Sequence, residues 1–94
     1  MSIGVLTLQI LLPGCASLKE KRSRLKPLLA RLHREFNISA AEVHLLDDWD
    51  QALLACALVS NDAGYTKRAL QKVSSWVEHN WPDVTLADQR LELL

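Results

Sequence analysis

Five basic residues stand within eight positions at the start of a predicted helix. They lie in the segment SLKEKRSRLKP, residues 17–27, as Lys19, Lys21, Arg22, Arg24 and Lys26. The first turn of a helix carries partial positive charge, so this is an unfavourable place for cations. Its free N–H groups bind anions, and several cations beside them suit a phosphate. We therefore predict an anion site here, and a polyphosphate backbone such as that of RNA would engage all five cations in a salt-sensitive way.

A structural role for the same cations is the alternative. On a helical projection Lys21 and Arg22 flank the apolar stripe, where long side chains lay their stems along the core and extend their charged heads outward. Their partners would be aspartates from the acidic part of the chain: Asp47, Asp48, Asp50 or Asp62. Exposed pairs of this kind contribute only about 0–1 kcal/mol. A cation near an acid in every case would favour a structural adaptor without a ligand.

Other arrangements that could support catalysis or metal binding are weak. DDWD, residues 47–50, holds three carboxylates, but turn aspartates commonly bond the backbone. The three histidines have no ligand spacing, Cys15 and Cys56 form no CxxC pair, and GxSxG, P-loop and GxGxxG motifs do not occur. The sequence predicts no catalytic residue, metal or cofactor. Its second hypothesis is a small phosphorylated ligand held by the same cations between protomers, with Asp47 or Asp62 assisting.

Composition favours one globular domain spanning residues 1–94. Apolar residues make up 49% of the chain and charged residues 23%, a balance that argues against disorder. The net charge is zero, but it divides unevenly along the chain. Residues 1–36 hold seven basic and two acidic residues, a net charge of +5, and residues 37–94 hold four basic and nine acidic residues, a net charge of −5. Such a division allows one surface to steer an anionic partner.

The apolar beginning of the chain predicts a strand rather than a targeting segment. MSIGVLTLQILLPG lacks the basic residues that precede the apolar region of a secretory signal. Its apolar run is also too short to cross a bilayer. We expect a soluble, cytoplasmic protein in which both cysteines are structural.

The first half of the chain alternates between strand and helix signals. Residues 3–12 place Gly4 and the following even-numbered residues on one nearly wholly apolar face, which predicts a central strand. Ser17 and Glu20 form a capping box, and leucines at helical spacing predict a helix over residues 18–35. Pro27 removes one hydrogen bond from that helix, so a kink is expected there.

The second half predicts two strands, a helix and a last strand. Residues 38–46 read as a half-buried strand, and residues 51–60 are apolar on both faces, as in a central strand. Asn61 or Asp62 caps a helix that ends at Asn80. Residues 83–93 form the last segment, with strand character in its first half.

The resulting order, βαββαβ, predicts an α+β ferredoxin-like sandwich. Two right-handed βαβ units interleave into a four-stranded antiparallel sheet of order 4-1-3-2, with both helices on one face. Strands 1 and 3 are then central, in agreement with their being the most apolar segments.

Several motifs also resemble a known family. PGCASLKEKRSRLKPLLARLHREFNISAAEV, followed by DDWDQALLACALVSND, is similar to the small bacterial YlxP-like proteins, a domain-of-unknown-function family. The resemblance covers nearly the whole chain. It implies a ferredoxin-like fold without an established enzymatic activity. Members are often encoded beside translation-initiation and ribosome-maturation factors, which suggests association with the ribosome or RNA.

The predicted open face of the sheet argues against base recognition and in favour of oligomerisation. RNA-reading sheets of this fold stack bases on aromatic residues of strands 1 and 3, and neither strand here has one. Any RNA would therefore be held mainly through its phosphates. Val5, Leu11 and alternate residues of strand 3 leave this face partly apolar, so we expect a second copy to cover it in a homodimer or larger assembly.

Overall fold

The computed structural model describes residues 1–94 and contains four strands and two helices in the predicted order. The elements are β1 (Ser2–Leu11), α1 (Leu18–Glu35), β2 (Ser39–His44), β3 (Gln51–Ser60), α2 (Ala63–Asn80) and β4 (Thr85–Leu93). The strands form one antiparallel sheet in the order β2-β3-β1-β4, which is the predicted order read from the other edge. The predicted α+β ferredoxin-like architecture is confirmed.

The core lies between the helices and one face of the two central strands. Even-numbered residues of both strands are buried on this face, apart from Ser60 at the end of β3, and for β1 the alternation predicted this face. Leu6 and Leu8 of β1 pair with Cys56 and Leu54 of β3, and all four are essentially inaccessible. At Gly4, a Cβ atom would lie 2.5 Å from the Thr66 methyl group of α2, so glycine permits the helix to pack this closely.

Both helices begin with the caps predicted from sequence. The Ser17 hydroxyl accepts from the Glu20 N–H at 3.1 Å, and the Glu20 carboxylate accepts from the Ala16 N–H at 3.0 Å. Asp62 caps α2 by accepting from the Gly64 N–H at 2.9 Å. α1 continues through Pro27, which is exposed. Its missing N–H therefore leaves a free carbonyl one turn earlier on a surface that water can reach.

The two edge strands are shorter than the sequence predicted. β2 ends at His44 rather than residue 46, and its register with β3 shifts between Glu42 and His44. Leu45 follows with φ of 60°, a left-handed conformation that ends the extended backbone. β4 begins at Thr85 because residues 81–84 form a turn in which the Val84 N–H donates to the Trp81 carbonyl.

Candidate anion-binding face

Charge in the folded protein is divided between its two layers. α1 and α2 together carry ten basic and three acidic residues, a net charge of +7. The strands and connecting segments carry one basic residue, Arg90, and eight acidic residues, a net charge of −7. The division that the sequence displays between two halves of the chain thus becomes a division between a basic helix layer and an acidic remainder. Such separation creates a field that attracts anions to one side of the molecule.

Lys21 is buried inside the fold rather than exposed to a ligand. Only 1% of Lys21 is accessible to solvent. Its ammonium group donates to the carbonyls of Leu45 at 2.8 Å and Gln51 at 2.9 Å. Glu42 Oε2 lies 2.7 Å from the same nitrogen, an approach that is close but not aligned as a hydrogen bond, so the attraction is that of an ion pair. The inclusion of Lys21 in a solvent-facing anion site was wrong.

Arg24 is also engaged within the protein. Its half-buried guanidinium donates to the Pro13 carbonyl at 2.9 Å and to the Asp83 carbonyl at 2.7 Å. It thereby joins the segment before α1 to the segment between α2 and β4. Lys21 and Arg24, two of the five predicted cations, accordingly have roles in holding the fold.

The other three cations form an exposed row on α1. Lys19, Arg22 and Lys26 follow each other at spacings of three and four residues, which places them on one side of the helix within about 10 Å. All three are exposed, and none lies within 4.0 Å of a carboxylate. Two helical turns beyond Lys26, on the same side of α1, His33 Nε2 accepts from the Ala40 N–H of β2 at 3.2 Å. The row therefore lies on the β2 side of α1, away from α2.

The aspartates named as alternative partners do not neutralise this row. The only ion pairs are Lys21–Glu42, Arg31–Glu35 and Arg90–Glu92. Asp47, Asp48 and Asp50 instead line a shallow cavity with Cys15 and Trp49 at the β2–β3 turn. Asp62 caps α2. The predicted alternative, a basic residue paired with an acid of the same chain, does occur for Lys21. Its partner, however, is Glu42 rather than one of the predicted aspartates.

A second group of cations, on α2, was not predicted from the sequence. Lys67, Arg68 and Lys72 are exposed, and none of them has an ion-pair partner. Arg68 and Lys72 are four residues apart, so they share a side of the helix. Together with Phe36, Arg68 and Lys72 line two cavities on the helix side of the molecule, of about 670 Å³ and 250 Å³. Their helical spacing could have revealed this group in the sequence. They lie in residues 37–94, however, and the net negative charge of that half of the chain hides them.

The aromatic residues lie mainly beside the helices. Phe36 and Trp76 meet edge to face with ring centroids 6.1 Å apart, and Trp81 lies 6.1 Å from Trp76. The Arg31 guanidinium covers one Trp76 face at 5.5 Å. Tyr65 on α2 and Trp49 in the β2–β3 turn are more than half exposed. The sheet face opposite the helices has no aromatic residue on β1 or β3, as the sequence indicated.

Neither cysteine is placed for nucleophilic chemistry. Both are free thiols. Cys56 is buried in the core, and this burial raises the pKa of its thiol to about 11 because the thiolate is poorly solvated there. Cys15 is half-buried, and its sulfur donates to the Ser17 carbonyl at 3.5 Å. The structural role predicted for Cys56 agrees with this position.

Comparison with known proteins identifies the family. Residues 3–91 match the family described as "Protein of unknown function (DUF503)". The chain belongs to this family. It is also 31% identical over 90 residues to "Uncharacterized protein YlxP" of Bacillus subtilis (strain 168), an alignment that covers 96% of the chain and 97% of the relative. The YlxP-like resemblance drawn from the motifs is thus confirmed. Among the helices, neither α1 nor α2 is sufficiently long and apolar to span a membrane.

Proposed function

We propose that this DUF503 protein is a non-enzymatic RNA-binding protein that associates with the ribosome in the cytoplasm. Its helix layer faces the RNA, and the exposed row formed by Lys19, Arg22 and Lys26 contacts the phosphates. Arg24 lies on the opposite side of α1, where it holds the Pro13 and Asp83 carbonyls, and is therefore not part of this row. Lys21 supports the interface from inside by fixing the start of α1 against the sheet.

The single observation that carries this proposal is the division of charge between the layers. Ten of eleven basic residues lie on the two helices, and the exposed row has no acidic partner. Unpaired cations gathered on one face contribute to phosphate binding together, whereas the same cations paired with acids would not. A protein with zero net charge gains little general attraction to RNA, so this separation is what orients it.

The sheet face supports phosphate recognition rather than base reading by a sheet. Without aromatic residues on β1 and β3, bases have no stacking surface there. The ribosome is the proposed target because of the gene neighbourhood that the resemblance implies. Two free cysteines are in keeping with a reducing compartment, which supports the cytoplasmic location.

The test is binding to ribosomal RNA by wild-type protein and by a Lys19→Ala/Arg22→Ala/Lys26→Ala variant, measured by filter binding at two salt concentrations. We expect wild-type binding to weaken as salt rises and the variant to bind much more weakly at low salt. Equal binding by both proteins would contradict the assignment to this row. Co-sedimentation with a ribosomal subunit from cell extract, released by salt, would support the target. A thermal shift with sugar phosphates but no RNA binding would favour the small-ligand hypothesis instead.

A homodimer through the open sheet face is the second proposal. On the central strands β1 and β3 this face holds ten side chains at odd-numbered positions, and none of them is charged; the larger aliphatic ones are Ile3, Val5, Leu11, Leu53 and Val59. The edge strand β4 adds the charged residues Asp88, Arg90 and Glu92 to the same face. Strand dimensions give the sheet a face of about 600 Å². This is close to the roughly 800 Å² per partner of a specific interface. A second copy offers the same uncharged central strands, and its binding leaves both helix layers free for RNA.

A further inference from the structure

A continuous groove follows α2 on the helix side of the molecule. It consists of two cavities of about 250 Å³ and 670 Å³ that share Phe36, Arg68 and Lys72 as lining residues. The smaller cavity reaches Tyr65 near the start of α2, and the larger reaches Asn80 at its end. Fifteen residues of helix correspond to about 22 Å. The groove is thus elongated and suits an extended chain better than a compact metabolite.

The charges at this groove are unbalanced. Arg68 and Lys72 have no ion-pair partner, and the one acidic residue of the smaller cavity, Glu35, is already bound to Arg31 at 3.3 Å. The larger cavity has no acidic residue, and it includes His79, whose Nδ1 lies 2.7 Å from the Ser75 carbonyl. A donating Nδ1 leaves Nε2 free for another partner. The complement of this surface is an anionic ligand.

The walls of the groove are aromatic and apolar beneath those charges. Phe36 and Trp76 contribute to the larger cavity, and Phe36, Ile38 and Ala69 to the smaller one. Trp76 is covered on one face by Arg31, whereas Tyr65 is 52% exposed at the end of the groove. Exposed aromatic rings beside cations are the combination with which proteins hold single-stranded nucleic acid, since a base stacks on the ring while its phosphates meet the charges.

We propose that this groove binds unpaired nucleotides of single-stranded RNA, with a base stacked on Tyr65 and phosphates held by Arg68 and Lys72. The inference rests on the proposed RNA-binding function and adds to it the kind of RNA. A base paired within a duplex has no free face for Tyr65, so the groove discriminates single strands from duplexes. The exposed row on α1 contacts phosphates of either form.

The test uses fluorescence anisotropy with a labelled 12-nucleotide single-stranded RNA and the same RNA annealed to its complement. Tyr65→Ala removes the ring without changing charge, and Tyr65→Phe is its matched control because it retains the ring. We expect Tyr65→Ala to weaken single-strand binding about 5- to 100-fold. Single-strand binding by Tyr65→Phe and duplex binding by Tyr65→Ala should both stay within about twofold of wild type. Arg68→Gln/Lys72→Gln weakens single-strand binding as well and lowers its dependence on salt.

The outcomes separate this inference from the function on which it rests. RNA binding that does not respond to Tyr65→Ala, or that falls equally for single strand and duplex, overturns the groove and leaves the α1 row in place. Failure of wild-type protein to bind either RNA overturns both. Displacement of the RNA by micromolar adenosine monophosphate would identify a mononucleotide site and contradict the single-strand proposal. Circular dichroism melting establishes that each variant is folded.

Discussion

Lys21 Nζ lies 2.7 Å from Glu42 Oε2, in an ion pair that joins the first turn of α1 to the edge strand β2. The lysine residue is 1% accessible and the glutamate side chain 16% accessible. The same ammonium group donates to the carbonyls of Leu45 and Gln51. This one side chain therefore joins α1 to β2 and to both sides of the β2–β3 turn, at Leu45 and at Gln51, the first residue of β3.

Removing the lysine should be strongly destabilising. Lys21→Met leaves a largely buried carboxylate and two carbonyls without their donor, and we expect the free energy of unfolding to fall by about 2–4 kcal/mol. Urea unfolding measures this, with the exposed Lys19→Met as the control, which should change stability by less than about 0.5 kcal/mol. The double variant Lys21→Met/Glu42→Leu should recover part of the loss because no charge is then left unpaired. If Lys21→Met and the control Lys19→Met changed stability equally, the Lys21–Glu42 pair would not be structural.

Replacing Arg24 by lysine should destabilise the protein. Its planar guanidinium reaches the Pro13 and Asp83 carbonyls together, which a single ammonium group does not reproduce. We expect Arg24→Lys to lower the free energy of unfolding by about 1–2 kcal/mol in urea denaturation. Arg22→Lys is the control, since Arg22 is exposed and makes no such bonds. A loss no larger than that of the control would contradict the bridging role of Arg24.

The buried Cys56 thiol should make the protein lose stability in alkaline solution. An unfolded cysteine ionises near pH 8.5, whereas burial holds the folded pKa at about 11. Above pH 8.5 the unfolded state therefore releases its proton first, which favours unfolding, and the loss continues up to about pH 11 with at most about 1.4 kcal/mol per pH unit. Unfolding from pH 8.5 to 11 should have a flatter pH dependence in Cys56→Ala. Parallel curves would contradict this contribution.

The open sheet face should be the dimer interface. Light scattering on a size-exclusion column should give wild-type protein a mass of twice the 10.6 kDa chain. Leu53→Arg places a charge on the uncharged central strands of this face and should yield a monomer. Gln71→Arg, the same charge added on exposed α2, should remain dimeric. A monomeric wild type, or dissociation in the control as well, would contradict the interface.

Most of the fold follows from residue patterns that act locally. The apolar face of β1, the continuous apolar run of β3, the Ser17–Glu20 capping box and the Asp62 cap each depend on residues within a few positions, and each is found as predicted. The end of β2 and the start of β4 were predicted less accurately. They depend on the left-handed Leu45 and on the turn at residues 81–84, which carry no glycine to mark them.

The candidate site was predictable only in part, because charge alone does not reveal which side chains are free. Lys21 and Arg24 stand among cations of the same kind, and what distinguishes them is distant in sequence: Glu42, Gln51 and Asp83. The +7 charge of the helix layer likewise emerges only when α2 is brought beside α1 by the crossing strands. Sequence identified the basic segment, and folding decided which of its members face solvent.

A pair of charge reversals tests most directly whether the helix layer binds RNA. Arg22→Glu on α1 and Arg90→Glu on β4 change the net charge equally, and both arginines are exposed, but they belong to opposite layers. Anisotropy with labelled ribosomal RNA should be recorded across a salt series. We predict that Arg22→Glu weakens binding at least about tenfold at low salt and reduces the salt dependence by about one phosphate contact, while Arg90→Glu changes affinity by less than about twofold. Equal losses from the two variants, or a larger loss from Arg90→Glu, would contradict the assignment of the RNA-binding face.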